Sequence, residues 1–193
     1  MPVAMTLSMC SHRLRHFVVQ ARVEGVQCHA PQRLAALIEQ RHAASDVVCA
    51  AADLCTAAAT GCEETKAKLM EAHFPAEALR ILQAGEVDVP AQAALCTALK
   101  SLITNDDERP PASQAFMHAR VLALDKDAVP VFLAVLQRAV DDASALHTII
   151  SALQQLCAND EICIKVSSLS TGNGTDPAYI CPCVCKYAMF VQL

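Results

Sequence analysis

The chain has 193 residues, 54% of them hydrophobic, and a formal net charge of −5. Its length and apolar content allow one sizeable domain or a short array of repeats. Its negative charge is spread along the chain, which argues against a nucleic-acid or anionic-membrane partner. Alanine, leucine and valine dominate, tryptophan is absent and only 4% of residues are aromatic. This composition predicts an all-α fold packed through small side chains.

The first 44 residues are interpreted as an N-terminal helical segment. Its basic residues follow a brief apolar run instead of preceding it, and no small-residue cleavage motif is evident, so we expect no signal peptide. No stretch of the sequence approaches the roughly 18 consecutive apolar residues that a membrane-spanning helix needs. We therefore expect a soluble, intracellular protein.

The cysteines indicate the compartment. Their number, eleven, is odd, so at least one is unpaired. Four of them lie in apolar helical runs, where cysteine behaves as a small hydrophobic residue: Cys49, Cys55, Cys96 and Cys157. This usage favours a reducing compartment, and we expect a cytoplasmic protein, with the nucleus as a further location.

Residues 45–166 carry a repeated pattern. Three segments resemble one another: AADLCTAAATGCEE (51–64), LCTALKSLITNDDE (95–108) and IISALQQLCANDEI (149–162). When their turn residues Gly61, Asn105 and Asn159 are aligned, the separations are 44 and 54 residues. Apolar or small residues recur at i, i+4 and i+7, which predicts one buried helix face per segment. These positions are Ala51, Cys55, Ala58, Leu95, Leu99, Leu102, Ile149, Leu153 and Leu156.

Two further helices are predicted in each unit. The first unit has EETKAKLMEA and FPAEALRILQAG, where Pro75 suits an early helical position and Gly85 suits a helix end. The second has PPASQAFMHARVLAL and DAVPVFLAVLQRAV, with Asp127 as the expected cap. It is about ten residues longer, and we place the insertion near residues 109–120. The buried stripes of the middle helices are predicted at Leu79, Leu82, Val131, Val135 and Leu136.

A period of 40 to 47 residues with two or three helices is typical of armadillo or HEAT arrays, and three helices per unit favour armadillo; an ordinary helical bundle is the alternative. LKSLITNDDER and LQQLCANDEIC resemble the last helix of an armadillo repeat running into the next, and DAVPVFLAVLQRA resembles its middle helix. The resemblance implies an armadillo-type α-solenoid, a right-handed superhelix of three-helix repeats, of which residues 45–166 would form about three units. It further implies a non-enzymatic scaffold that binds a protein partner, of unknown identity, on its concave surface.

The sequence departs from peptide-binding members of that family. They carry an Asn on the final helix, where this chain has Ala57, Ser101 and Gln155, and they also carry a Trp, which this chain lacks. Binding of the importin type is therefore not expected. Polar residues on the final helices and in the insertion are the candidates for partner contact, and those on the final helices are expected to be exposed. The candidates are Lys100, Ser101, Asn105, Arg109, His118, Arg120, Gln154, Gln155 and Asn159.

Two alternatives concern chemistry. In the insertion, Asp106 and Asp107 could pair with Arg109, His118 and Arg120 to hold it down, or these residues could contact a partner. The run CPCVC offers thiolates, so a cysteine-dependent metal or redox protein using Cys181, Cys183 and Cys185 is the second functional hypothesis.

No catalytic constellation, phosphate-binding loop or small-molecule site is evident, and no cofactor is expected. Residues 167–193 contain turn residues followed by an unpatterned apolar end, and are interpreted as an irregular tail.

Overall fold

The computed structural model describes residues 32, 33, 36, 44–109, 114–158 and 162. Regular structure within these residues is entirely helical, which confirms the all-α prediction. A π-helical turn, Val121–Asp125, follows directly on the α-helix that ends at Arg120. The α-helices from residue 44 onward are α1 (Ser45–Ala59), α2 (Glu63–Glu71), α3 (Phe74–Ala84), α4 (Val89–Ile103), α5 (Ala115–Arg120), α6 (Ala128–Arg138) and α7 (Ala143–Cys157).

Local sequence explains most of the helix boundaries. Asp88 and Asp142 cap α4 and α7, because each carboxylate accepts a hydrogen bond of 3.0 Å from a first-turn N–H. Pro75 lies at the start of α3, and Gly85 ends that helix at a left-handed φ of 66°, both as predicted. The prediction that the Asp127 side chain caps α6 is wrong. It precedes α6 in a left-handed conformation, with φ of 52°, and its side chain makes no capping hydrogen bond.

The six helices from α2 to α7 form two successive sets of three. The middle helices α3 and α6 both have 11 residues, and the third helices α4 and α7 both have 15. Of the ten extra residues in the second set, eight lie in the segment 104–114 before α5 and two in the first helix with its π-helical turn. A π-helical turn accommodates additional residues without ending the helix.

The middle and the third helices pack against their counterparts in the neighbouring set. The third helix α4 packs between α1 and α7, and the middle helix α3 packs against α6. The buried residues that join them form one continuous core. The middle and third helices of each set therefore bury apolar surface against the corresponding helices of the neighbouring set.

The predicted buried faces are largely confirmed. Eight of the nine predicted positions in α1, α4 and α7 are buried; the exception is Ala58, which is half-buried beside fully buried Ala59. In α3, Leu79 and Leu82 are buried as expected.

The face of α6 is shifted from the predicted one. Val135 is buried, but Val131 and Leu136 are half-buried at the edge of the core. Val129 and Phe132 occupy the centre in their place, each at most 3% exposed. The hydrophobic run VPVFLAVL offers apolar residues on several faces, so periodicity alone does not select one.

None of the helices in the described ranges is long and apolar enough to cross a membrane. The predicted tail, residues 167–193, lies outside the described residues, as does most of the predicted N-terminal segment 1–44.

Candidate partner-binding surface

Helix α1 corresponds to the third helices α4 and α7 through the repeat separations of 44 and 54 residues, and we count it as a third helix. The three helices lie side by side and present equivalent positions in rows. One row consists of Asp53, Thr97 and Ser151, separated by 44 and 54 residues. Asp53 is exposed and the other two are half-buried. Nζ of Lys100 on α4 donates a hydrogen bond of 2.7 Å to Oγ of Ser151 on α7. This contact fixes two neighbouring third helices to each other on the face that carries the row.

A second row contains Ala57, Ser101 and Gln155. The expectation that Ser101 is exposed is wrong, because its side chain is 8% exposed and Oγ donates to the carbonyl oxygen of Ala98 at 2.7 Å. Gln155 is half-buried, as are Lys100 and Gln154. These residues are less accessible than predicted because each third helix is flanked by its neighbours. Ser101 consequently shapes the surface and offers no side-chain contact to a partner.

Charge on this face is uneven. Asp46 and Asp53 are exposed on α1, whose sequence contains no basic residue. Lys100 is the basic residue of α4, and α7 contributes hydroxyls and amides. The described surface of the third helices is therefore polar and built from small side chains, and it is acidic at the α1 end.

A buried lysine anchors the segment that contains the insertion. Lys66 on α2 is fully buried, and its Nζ donates to the carbonyl oxygen of Thr104 and to Oδ1 of Asp106, both at 2.5 Å. Oε2 of Glu63 lies 3.8 Å from the same nitrogen. A buried ammonium group is tolerated only when it is paired and hydrogen-bonded. These oxygens satisfy that requirement and hold residues 104–106 against α2.

Asp107 and Arg109 continue this attachment. Oδ2 of Asp107 accepts a hydrogen bond of 2.7 Å from the main-chain N–H of Glu63, at the start of α2. Nε and Nη2 of Arg109 donate to the two oxygens of Asp107 at 2.9 and 2.8 Å. The hydrogen bonds from the Arg109 side chain and from the main-chain N–H groups hold the pKa of Asp107 well below its ordinary value. This carboxylate in turn raises the pKa of Arg109.

His118 on α5 connects the same cluster to the next set of helices. Its side chain is buried, and Nδ1 lies 3.1 Å from the carbonyl oxygen of Leu102 and 3.4 Å from Oε1 of Glu63. With Lys66, Asp106, Asp107 and Arg109, it joins α2, the end of α4 and α5. We call these six residues, Glu63 included, the junction cluster.

The candidate residues divide accordingly. Arg109 and His118 belong to the junction cluster, so their observed contacts are within the chain. Asn105 and Arg120 are exposed. Lys100, Gln154 and Gln155 lie on the third-helix surface. Asn159 lies outside the described residues, and no role is assigned to it.

Sequence reasoning missed two features. The burial of Lys66 was not predicted, because a lysine in EETKAKLMEA fits an exposed helix face equally well. The row of Asp53, Thr97 and Ser151 was also missed, although the two repeat separations alone would have found it.

The cysteines of the described part are free thiols: Cys49, Cys55, Cys62, Cys96 and Cys157. Burial raises the pKa of both Cys55 and Cys96 to about 12, so these two behave as hydrophobic side chains. In the same ranges no group of three His, Cys, Asp or Glu side chains is placed to hold a metal ion. The predicted ligands Cys181, Cys183 and Cys185 lie outside the described residues, and the metal hypothesis stays a prediction.

Two features thus stand out: the polar rows across the third helices, and the junction cluster that joins α2, the end of α4 and α5. Comparisons with protein-family models, with curated proteins and with solved structures find no match for this chain.

Proposed function

We propose that the chain is an armadillo-type α-solenoid that binds a segment of a protein partner along the surface formed by α1, α4 and α7. The observation that carries the proposal is the packing of corresponding helices, third on third and middle on middle. Such packing arranges equivalent residues in rows across successive helices. A row of accessible side chains is suited to an extended segment, which crosses each helix in turn.

The proposed binding is non-enzymatic and depends on shape and side-chain display. Thr97, Ser151 and Gln155 would form hydrogen bonds to the partner's main chain or polar side chains. Asp53 would attract a basic group, and Lys100, whose ammonium group has three donors and gives one of them to Ser151, would attract an acidic group. No cofactor, nucleic acid or small-molecule substrate enters the proposal.

The state of the cysteines supports a cytoplasmic or nuclear location. The five described cysteines are all free, and free buried thiols are typical of proteins from a reducing compartment.

The proposal can be tested by placing a photo-crosslinking amino acid at single positions of the full chain. We expect residues 97 and 155 to capture the same protein from cells that express the chain, because both positions lie on the proposed surface. Position 83 is the matched control, since Gln83 is exposed but lies on the middle helix α3. The captured protein is identified by mass spectrometry of the crosslinked peptide.

Affinity then measures the contribution of the surface. Thr97→Arg is expected to weaken binding of the purified partner by about tenfold or more, equivalent to about 1.4 kcal/mol. Gln83→Arg should leave the dissociation constant unchanged. Equal capture from all three positions, or a partner whose affinity is the same for both variants, would show that α1, α4 and α7 are not the binding surface.

A further inference from the structure

Helix α4 leaves a single stripe of its surface accessible. After its first residue, the residues of this helix that are not buried follow one another at intervals of three or four positions, so they share one side of the helix. They are Pro90, Ala94, Thr97 and Lys100. Lys100 therefore lies on the same side of α4 as Thr97, in the row that Asp53 of α1 and Ser151 of α7 complete.

Asp53 and Lys100 present opposite charges on this surface. Asp53 is exposed, and α1 contains no basic residue. In the part of the chain that the structure describes, no basic side chain lies within ion-pair distance of Asp53 and no acidic one within that distance of Lys100. The Lys100 ammonium group gives one of its three donors to Ser151. Both charges are therefore available to a partner.

The distance between these charges sets the length of segment that reaches from one to the other. α4 packs between α1 and α7, and Nζ of Lys100 extends beyond α4 to within 2.7 Å of Oγ of Ser151 on α7. Axes of packed helices are about 8–10 Å apart, so this ammonium group lies roughly 12–15 Å from α1 across the surface. An extended chain advances about 3.3 Å per residue, so four residues cover about 13 Å.

Side-chain direction selects the same number of residues. Successive side chains of an extended segment point to opposite sides, so two of them face one surface only when an even number of positions separates them. Two positions cover only about 7 Å and six cover about 20 Å, so neither matches the distance between the charges. Four positions satisfy both conditions.

We infer that the partner segment carries a basic and an acidic residue four positions apart, the basic residue paired with Asp53 and the acidic residue with Lys100. The inference rests on the function proposed above, because it concerns the same surface. The residue midway between the two charges faces Thr97. Oγ1 of Thr97 donates to the main-chain oxygen of Ala93 at 3.0 Å, so it accepts a hydrogen bond from the partner. Reversing a bound segment would bring like charges together, so the charge pair also fixes its direction.

Selection from a phage-displayed library of random dodecapeptides tests the inference. Peptides are selected on the immobilised full chain and kept when Thr97→Arg removes their binding. We expect them to be enriched in a basic and an acidic residue four positions apart, in either order. Asp53→Lys should instead select peptides with two acidic residues at this spacing, and Lys100→Glu peptides with two basic residues. Gln83→Lys, at an exposed position of α3, is the matched control and should select the same peptides as the wild type.

Affinity gives a second measurement. A peptide selected on the wild type should bind Asp53→Lys at least about tenfold more weakly, because an attraction becomes a repulsion. The difference should shrink in about 1 M NaCl, which screens charges on the surface. Because Asp53 is exposed, we expect the variant to keep the circular dichroism spectrum of the wild type.

The outcomes separate this inference from the proposed function. Peptides that depend on Thr97 but lack the charge pair would overturn the inference and leave the proposed function standing, and so would unchanged affinity for Asp53→Lys. If no selected peptide depends on Thr97, both are overturned.

Discussion

The main-chain N–H of Glu63 donates a hydrogen bond of 2.7 Å to Oδ2 of Asp107, 44 residues further along the chain. That interval equals the first repeat separation, so Asp107 is the residue that aligns with Glu63 itself. The N-cap residue of α2 is Cys62, whose side chain makes no capping hydrogen bond. A carboxylate from the following segment satisfies an N–H at this helix start and also interacts favourably with the helix dipole.

Stability should depend on pH through Asp107. The folded-state pKa of Asp107 is lowered, first by the side-chain hydrogen bonds from Arg109. A group whose pKa is lower in the folded state stabilises above its unfolded value, near 4, and loses that stabilisation as the pH falls through the folded pKa. We expect Asp107→Asn to be less stable than the wild type at pH 7. The two should converge towards pH 2 in urea unfolding monitored by circular dichroism; a constant difference would contradict this.

Removing the Asp106 carboxylate should lower the free energy of unfolding more than removing the buried Lys66 ammonium group. Asp106→Ala leaves the Lys66 ammonium group buried without its closest carboxylate, and we expect a loss of about 3 kcal/mol in the free energy of unfolding. Lys66→Met replaces the charge by an apolar side chain and should be clearly less destabilising, since Asp106 is partly exposed to solvent. Chemical denaturation measures both. Glu108→Ala, at an exposed neighbouring position, should change the free energy by less than about 0.5 kcal/mol.

Gly85→Ala should destabilise the protein in two ways, through its left-handed backbone conformation and through a close contact with Arg138. Gly85 has a φ of 66°, and an added Cβ would lie 3.2 Å from Nη1 of Arg138. That guanidinium group donates to the carbonyl oxygen of Leu82 and to Oε1 of Gln92, so displacing it weakens the link between the middle helices and α4. We expect a loss of about 2 kcal/mol, of which the left-handed conformation accounts for about 1. Gly61→Ala, with a φ of 64°, is the comparison for the backbone cost. Equal losses in thermal unfolding would rule out a contribution from Arg138.

Thiol reactivity should separate the cysteines. Burial raises the pKa of Cys55 and Cys96 to about 12, so almost no thiolate is present at pH 8 and access is blocked as well. Neither should react with a maleimide until the chain is unfolded by urea. Half-buried Cys49 should react in the native protein, although its pKa is also raised. Labelling followed by peptide mapping gives the order, and native labelling of Cys96 at the rate of Cys49 would contradict it.

Local rules in the sequence predicted much of the fold. Spacings of i, i+4 and i+7 found the third helices, and Pro75 and Gly85 marked the start and the end of α3, because these signals act within one or two turns. The prediction that Asp127 caps α6 failed because a capping residue needs an extended backbone, whereas Asp127 is in a left-handed conformation. Lys66 is buried against Thr104 and Asp106, 38 and 40 positions away, and Ser101 lies on a helix that is packed between α1 and α7. No single helix contains that information.

The junction cluster has a consequence for how the chain unfolds. In a simple repeat array each unit interacts with its neighbours through stacked faces, and the ends can unfold separately. Here residues 104–109 are attached to the start of α2, while His118 of α5 contacts both Leu102 and Glu63. Releasing α5 therefore exposes the polar contacts of the preceding helices, and unfolding α2 frees the segment that leads into α5. Because the two sets of helices share these interactions, we expect them to unfold as one cooperative unit, in a single transition.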